Sequence, residues 1–240
     1  MKGIYLILFA AILIGCKSNN RKNNPVVEVN KPVVTDTSKP AKKTDSLPSA
    51  TSGQDSSTYV DVTVPDWSSK EIDLNLEQIS ASVFNRYVKN YKTSCPLDSS
   101  GFPAGRGLIL KNSCNEICEN YLVDEKAHTQ IMLPSDYDAG IMGLVVSPSC
   151  QRFIVYSSYD GPGYDQYYND RVEIFGFSIG KQQGLKAIKP LFMHTSKDWS
   201  VEELTWVDDH TIALKIYTGD RVGDGSGVDY KYVKARLNGL

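Results

Sequence analysis

Histidine is scarce in this 240-residue chain. It occurs only as His128, His194 and His210. None falls in an H-x-x-x-H or H-E-x-x-H spacing, which would set two imidazoles on one helix face for a metal. No serine occupies a G-x-S-x-G nucleophile elbow. The nearest approach, GDGSG around Ser226, has Asp224 where the leading glycine should stand, and no helix pattern follows. Gly223, Gly225 and Gly227 lack the spacing of a dinucleotide fingerprint. A run of about 20 apolar residues, the length that crosses a bilayer as a helix, is also missing. The longest is the eleven-residue stretch Ile4 to Ile14. There is no excess of positive charge, with 26 Lys and Arg against 28 Asp and Glu. That balance lacks the electrostatic footprint of a nucleic-acid binder. Finally, residues 17–58 contain no Phe, Trp or Tyr. Such a segment cannot bury enough apolar surface to offset the entropy of ordering it.

These absences divide the chain. Lys2 and the apolar run have the charge and length of an export signal. The run ends in Leu13-Ile14-Gly15-Cys16, which resembles the lipobox of bacterial lipoproteins. The resemblance covers this segment alone. It implies a signal peptide over 1–15, cut before Cys16, with Cys16 acylated on its sulfur and on its new N-terminus (palmitate among the chains). One acyl chain binds a membrane marginally and reversibly, at about 0.8 kcal/mol per buried CH₂, whereas several on one residue hold durably. The expected address is the cell envelope, on the outer membrane in preference to the inner. The membrane partner would be reached through lipid rather than a spanning helix.

Residues 16–58 then read as a lipidated, disordered tether, punctuated by Pro25, Pro32, Pro40 and Pro48. A coil of this length spans roughly 35 Å, from about 5–6 Å times the square root of residue number. From Tyr59 the texture changes, and residues 59–240 read as a single domain. They carry 18 Lys and Arg against 24 Asp and Glu, an acidic surplus of six. Cys95, Cys114, Cys118 and Cys150 fall within it. Four cysteines in an exported chain indicate two disulfides, in any of three pairings.

The domain is expected to be mainly β: an antiparallel sandwich, an open barrel or blade-like sheets, with one N-terminal amphipathic helix. Val60, Val62 and Val64 alternate as on a strand. Residues 75–92 have helical spacing, with Leu76, Ile79, Val83 and Tyr87 in one stripe and Phe84, Val88 and Tyr91 beside it. Asn75 followed by Gln78 has the form of a capping box. Ten strands follow: 107–110, 117–123, 129–133, 141–147, 153–158, 172–179, 187–193, 201–206, 211–217 and 228–233, separated by turn residues. GLVVSPSCQRFIVYS and ELTWVDDHTIALKI share one pattern of strand, short polar turn and strand. The first resembles the inner hairpin of a β-propeller blade, with Cys150 standing where that turn usually has glycine. About 145 residues after the helix are too few for four blades of about 40–45 residues.

Two loops draw attention. YSSYDGPGYDQYYNDR, residues 156–171, holds five of the fourteen tyrosines and is longer than most hairpin connections. Tyrosine pairs a large apolar face with a polar tip, which suits recognition surfaces. Tyr159, Asp160, Tyr164, Asp165, Tyr167, Tyr168 and Asp170 are the candidate binding residues. The second loop, TGDRVGDGSGVDY, offers Asp220, Asp224, Ser226 and Asp229 as oxygen ligands for calcium, without the EF-hand spacing. No cofactor is otherwise expected. With no catalytic set apparent, the expected role is non-enzymatic binding of a protein or glycan of the envelope, for instance as an inhibitor or immunity-type protein. Nucleic acid is not expected as a partner. Two alternatives compete with this: a glycan hydrolase using Asp160, Asp165, Glu202 or Glu203, and a structural accessory of an envelope assembly.

Overall fold

The computed structural model describes residues 59–63, 70–159, 161, 163–221 and 227–237. The chain divides into two compact units, Met1–Gly53 and Gln54–Leu240, and every described residue belongs to the second. The export signal, Cys16, the tether, Asp160, Asp224 and Ser226 lie outside the described residues. Among the described residues, no helix is long and apolar enough to cross a membrane.

The domain is mainly β. Its strands are β1 (Val60–Asp61), β2 (Leu76–Gln78), β3 (Leu108–Cys114), β4 (Cys118–Asp124), β5 (Thr129–Met132) and β6 (Gly143–Val146). There follow β7 (Arg152–Ser158), β8 (Val172–Ile179), β9 (Ile188–Ser196), β10 (Ser200–Asp208), β11 (Thr211–Thr218) and β12 (Asp229–Arg236). They form three four-stranded sheets, ordered β1-β5-β4-β3, β6-β7-β8-β9 and β10-β11-β12-β2. All pairings are antiparallel except β1 with β5. The third sheet is completed from the N-terminal side, since β2 pairs with the last strand, β12.

The sheet β6–β9 is the middle layer, and its sequence shows why. Successive strand residues face opposite ways, and on β7 and β8 both faces are buried. Phe153, Val155, Phe175 and Phe177 join Leu108, Leu122 and Ile131 of the first sheet. Ile154, Tyr156, Val172 and Ile174 join Leu204, Trp206, Ile212 and Leu214 of the third. A strand buried on both sides reads as a continuous apolar run rather than an alternating one. Phe153 lies parallel to Phe177 at 4.6 Å between centroids and meets the edge of Phe102 at 5.4 Å. At Gly176 a Cβ would lie 2.0 Å from the Phe192 ring, so only glycine fits opposite that phenylalanine.

The helix, α1, spans Ala81–Asn90. It begins later than the 75–92 spacing suggests. Residues 76–78 instead complete the third sheet, and Ser80 caps the helix by accepting from the Val83 N–H. Asn75 is therefore not the cap. Backbone pairing to β12 gives this edge strand partners on one side, where the first turn of a helix would leave its N–H groups unpaired. Of the apolar residues predicted on and beside the stripe, only Phe84 is buried within the helix, against Tyr232.

The cysteines pair as Cys95–Cys150 and Cys114–Cys118. The first ties the segment after α1 to the β6–β7 turn. There Cys150 has φ of +59°, a left-handed conformation that glycine adopts without strain. The second joins directly opposed residues at the tip of the β3–β4 hairpin. The two similar hairpins lie side by side at their turns. The Ser149 N–H donates to Asp209 Oδ1 at 2.9 Å, and Arg152 Nη1 donates to the Asp209 carbonyl at 2.6 Å.

Candidate binding site

The connections β3–β4, β5–β6, β7–β8, β9–β10 and β11–β12 meet at one end of the three sheets. A chain of hydrogen bonds links them, with the β7–β8 loop at its centre. Cys118 N–H donates to the Asp138 carbonyl at 2.7 Å, and Asp138 N–H to the Tyr168 hydroxyl at 3.4 Å. The Tyr137 hydroxyl donates to the Asp170 carbonyl at 2.7 Å. Arg171 reaches the other way, with Nη1 on the Gly219 carbonyl and Nη2 on Asp220 Oδ1. Ser200 Oγ donates to the Tyr159 carbonyl. A loop of this length is thereby fixed against neighbours from all three sheets.

The tyrosines of the loop divide by what they touch. Tyr156 is in the core between the second and third sheets. Tyr164 opens a 3-10 turn, Tyr164–Gln166, and lies under the Arg171 guanidinium at 4.1 Å, so it braces the loop. Tyr168 is the hub of an aromatic group. It meets Tyr137 at 4.8 Å edge-on and Tyr159 at 4.8 Å, while Tyr167 stands at 6.5 Å. Tyr167 is 72% exposed, and Asp165 beside it is exposed too. Of the seven candidates, Tyr167 and Asp165 face outward, Tyr159 and Tyr168 line a wall, and Tyr164 is structural. Asp170 lies half-buried at the rim, and Asp160 lies outside the described residues.

Two adjoining hollows share Tyr137, Asp138, Tyr167 and Tyr168. One, of about 300 Å³, adds Ala139, Ser158 and Tyr159. The other, of about 270 Å³, adds Asp136, Asn169, Asp170 and Glu173. Glu173 projects from β8 and is only 6% exposed. Its Oε2 accepts from the Asp136 N–H at 3.0 Å. Burial pushes its carboxyl up to about 7; the Asp136 N–H bond pulls against this, and the nearby Asp136 and Asp170 charges add to it. Burial likewise pushes the Tyr137 hydroxyl well above its ordinary value, with Glu173, Asp170 and Asp136 contributing. A buried charge costs free energy unless an opposite charge compensates it. Among the described residues, no basic side chain forms an ion pair with Asp136, Asp138, Asp170 or Glu173.

Glu173 and the β5–β6 loop are absent from the sequence-based candidates. A single Glu inside an apolar strand looks like an ordinary outward position. The β5–β6 loop did carry a signal: Asp136-Tyr137-Asp138 repeats the Tyr/Asp texture of the longer loop.

Of the calcium candidates, Asp224 and Ser226 lie outside the described residues. Asp220 is taken by Arg171, with side-chain exposures of 43% and 12%, and Asp229 begins β12 opposite Thr218. Among the described residues, no group of three or more His, Cys, Asp or Glu is placed to hold a metal. The hydrolase candidates Glu202 and Glu203 lie on β10, where Glu202 pairs with Arg221 and Lys215. No family model, curated protein or solved structure matches this chain.

Proposed function

We propose that this is a lipid-anchored cell-envelope protein, held through Cys16, whose domain binds another macromolecule with the end of the sheets built around the β7–β8 loop. One observation carries the binding part: a long Tyr/Asp loop is pinned to three sheets yet leaves Tyr167 and Asp165 facing solvent. A loop fixed in this way keeps little conformational freedom to lose on binding, which favours affinity. We read the stacked sheets as blade-like, because each contains a meander of at least three consecutive strands and two share the hairpin pattern of the sequence. The partner is basic. The acidic surplus of residues 59–240 draws such a molecule in, and two arginines at this end are already matched, Arg171 by Asp220 and Arg221 by Glu202. An inhibitor or immunity role against a basic envelope-targeting enzyme is the concrete form of this reading.

Its test is capture from envelope extract, comparing the protein with an Asp165→Ala/Tyr167→Ala variant. Both side chains are exposed, so folding should be kept. Loss of the captured partner supports the reading, and unchanged capture ends it. The anchor is tested separately: Cys16→Ser should move the protein out of the lipid-anchored fraction, and retention there would refute lipidation.

One observation favours a second reading, hydrolysis of glycan. Glu173, shifted to about 7 beside three aspartates, has the protonation a general acid needs. Release of reducing ends from envelope glycan, abolished by Glu173→Gln, would establish it.

A further inference from the structure

The hollow between the β5–β6 and β7–β8 loops has walls of two kinds. Tyr137, Tyr167 and Tyr168 supply ring surface, and Asp136, Asp138, Asp170 and Glu173 supply carboxyls. Glu173 is the informative member. It is more than nine-tenths buried, it lines the hollow, and its hydrogen-bond partner is Asp136, through the backbone N–H and the side chain. A carboxylate in that position has lost water and has no counter-ion among the described residues. Burying its charge is offset by taking up a proton or by an entering cation. Tyrosine faces attract the same kind of group through the ring quadrupole. The arrangement within this protein shows the preference at work: Arg171 lies 4.1 Å over the Tyr164 ring while its Nη2 donates to Asp220.

We infer that this hollow receives the ammonium or guanidinium head of a Lys or Arg side chain presented by the partner, with Glu173 as its counter-ion and Tyr167 and Tyr168 flanking it. This rests on the binding-face reading above and names the chemistry of its anchor point. A volume of about 270 Å³ suits one side-chain head rather than a peptide segment. An organic cation fits better than a metal ion, because the carboxyls are not grouped at ligating geometry. Entry of the cation also displaces a proton. The groups facing Glu173 are Asp136 and Tyr137 from the β5–β6 loop and Asp170 from the β7–β8 loop. His194 on β9 lies within electrostatic range of Asp170, and its burial lowers its pKa. Since burial holds Glu173 partly protonated near pH 7, a bound cation must drive it to carboxylate. Binding therefore strengthens as pH rises from 6 to 8.

The experiment is an NMR titration of the protein with butylammonium, N-methylguanidinium or calcium chloride, following the Asp136 and Asp138 amide signals. The expected result is saturable shifts with one or both organic cations and not with calcium. They should be tighter at pH 8 than at pH 6, and at least tenfold weaker in Glu173→Gln and in Asp170→Asn. Absence of saturable shifts, equal binding by Glu173→Gln, or tighter binding of calcium would overturn the inference. Glu173→Gln is isosteric, and its spectrum reports folding directly. The two readings fail differently. If partner capture depends on Tyr167 but neither organic cation binds, the hollow is wrong and the face stands. If the cations bind but capture ignores Asp165 and Tyr167, the hollow stands and the face is wrong.

Discussion

Two buried titratable side chains pull stability in opposite directions with pH. Burial lowers the His194 pKa below its ordinary value; the Ile72 carbonyl at Nδ1, 2.9 Å away, opposes this, and Nε2 is buried without a partner. The unfolded chain then binds more protons than the native one just below pH 6.5, so stability falls as pH drops through that range. Glu173 behaves in reverse. Its folded pKa of about 7 lies above the ordinary carboxyl value, so its contribution is full at pH 4 and is lost as pH rises through 7. Glu173→Gln should therefore raise the melting temperature by a few degrees at pH 8 and leave it unchanged at pH 4. His194→Gln should flatten the decline between pH 6.5 and 5. Thermal melts across pH check both. Phe153 is fully buried between two phenylalanine rings, and Phe153→Ala should cost about 3–5 kcal/mol. That is a drop of about 2–4 °C per kcal/mol for a domain of this size. The residue scale is also where the sequence was least legible. Glu173 gains its character from burial and from Asp136, 37 residues away in the chain and adjacent only after folding.

At the scale of elements the sequence was far more legible, because periodicity and turn chemistry are local. Strand β8 occupies the predicted 172–179, and the other nine strands fall within a few residues of their expected bounds. The Cys150 turn adopts a left-handed backbone, with φ of +59°. The misjudged element is β2. Its three residues fit the helical stripe as well as a strand, and β12, more than 150 residues away, decided between them. Ser80, not Asn75, then carries the cap. Ser80→Ala should destabilise by about 1 kcal/mol, while Asn75→Ala should leave helix content unchanged by circular dichroism. The disulfides differ as elements too. Cys95 and Cys150 are 55 residues apart and Cys114 and Cys118 only four, so the first removes more entropy from the unfolded chain. Replacing the Cys95–Cys150 pair by serine should lower the melting temperature more than replacing Cys114 and Cys118.

At the scale of the whole domain, three sheets, each containing a meander, share two cores, and their loops gather at one end. The middle sheet explains how that end can hold a long loop still. Strands β7 and β8 are locked on both faces, so the loop leaving one and entering the other starts and finishes on fixed backbone. The Tyr/Asp composition of that loop was plain in the sequence. Its division into a braced Tyr164, a walled Tyr159 and Tyr168 and an exposed Tyr167 was not, because it depends on Arg171, Tyr137 and Asp220 from other segments. The central claim is that this end binds a basic partner. The most direct measurement is affinity capture from envelope extract on the protein and on its Asp165→Ala/Tyr167→Ala variant, matched in circular dichroism and melting temperature. The account predicts a basic partner that is retained by the first, released by raised salt, and lost from the second. Equal retention by both would contradict it.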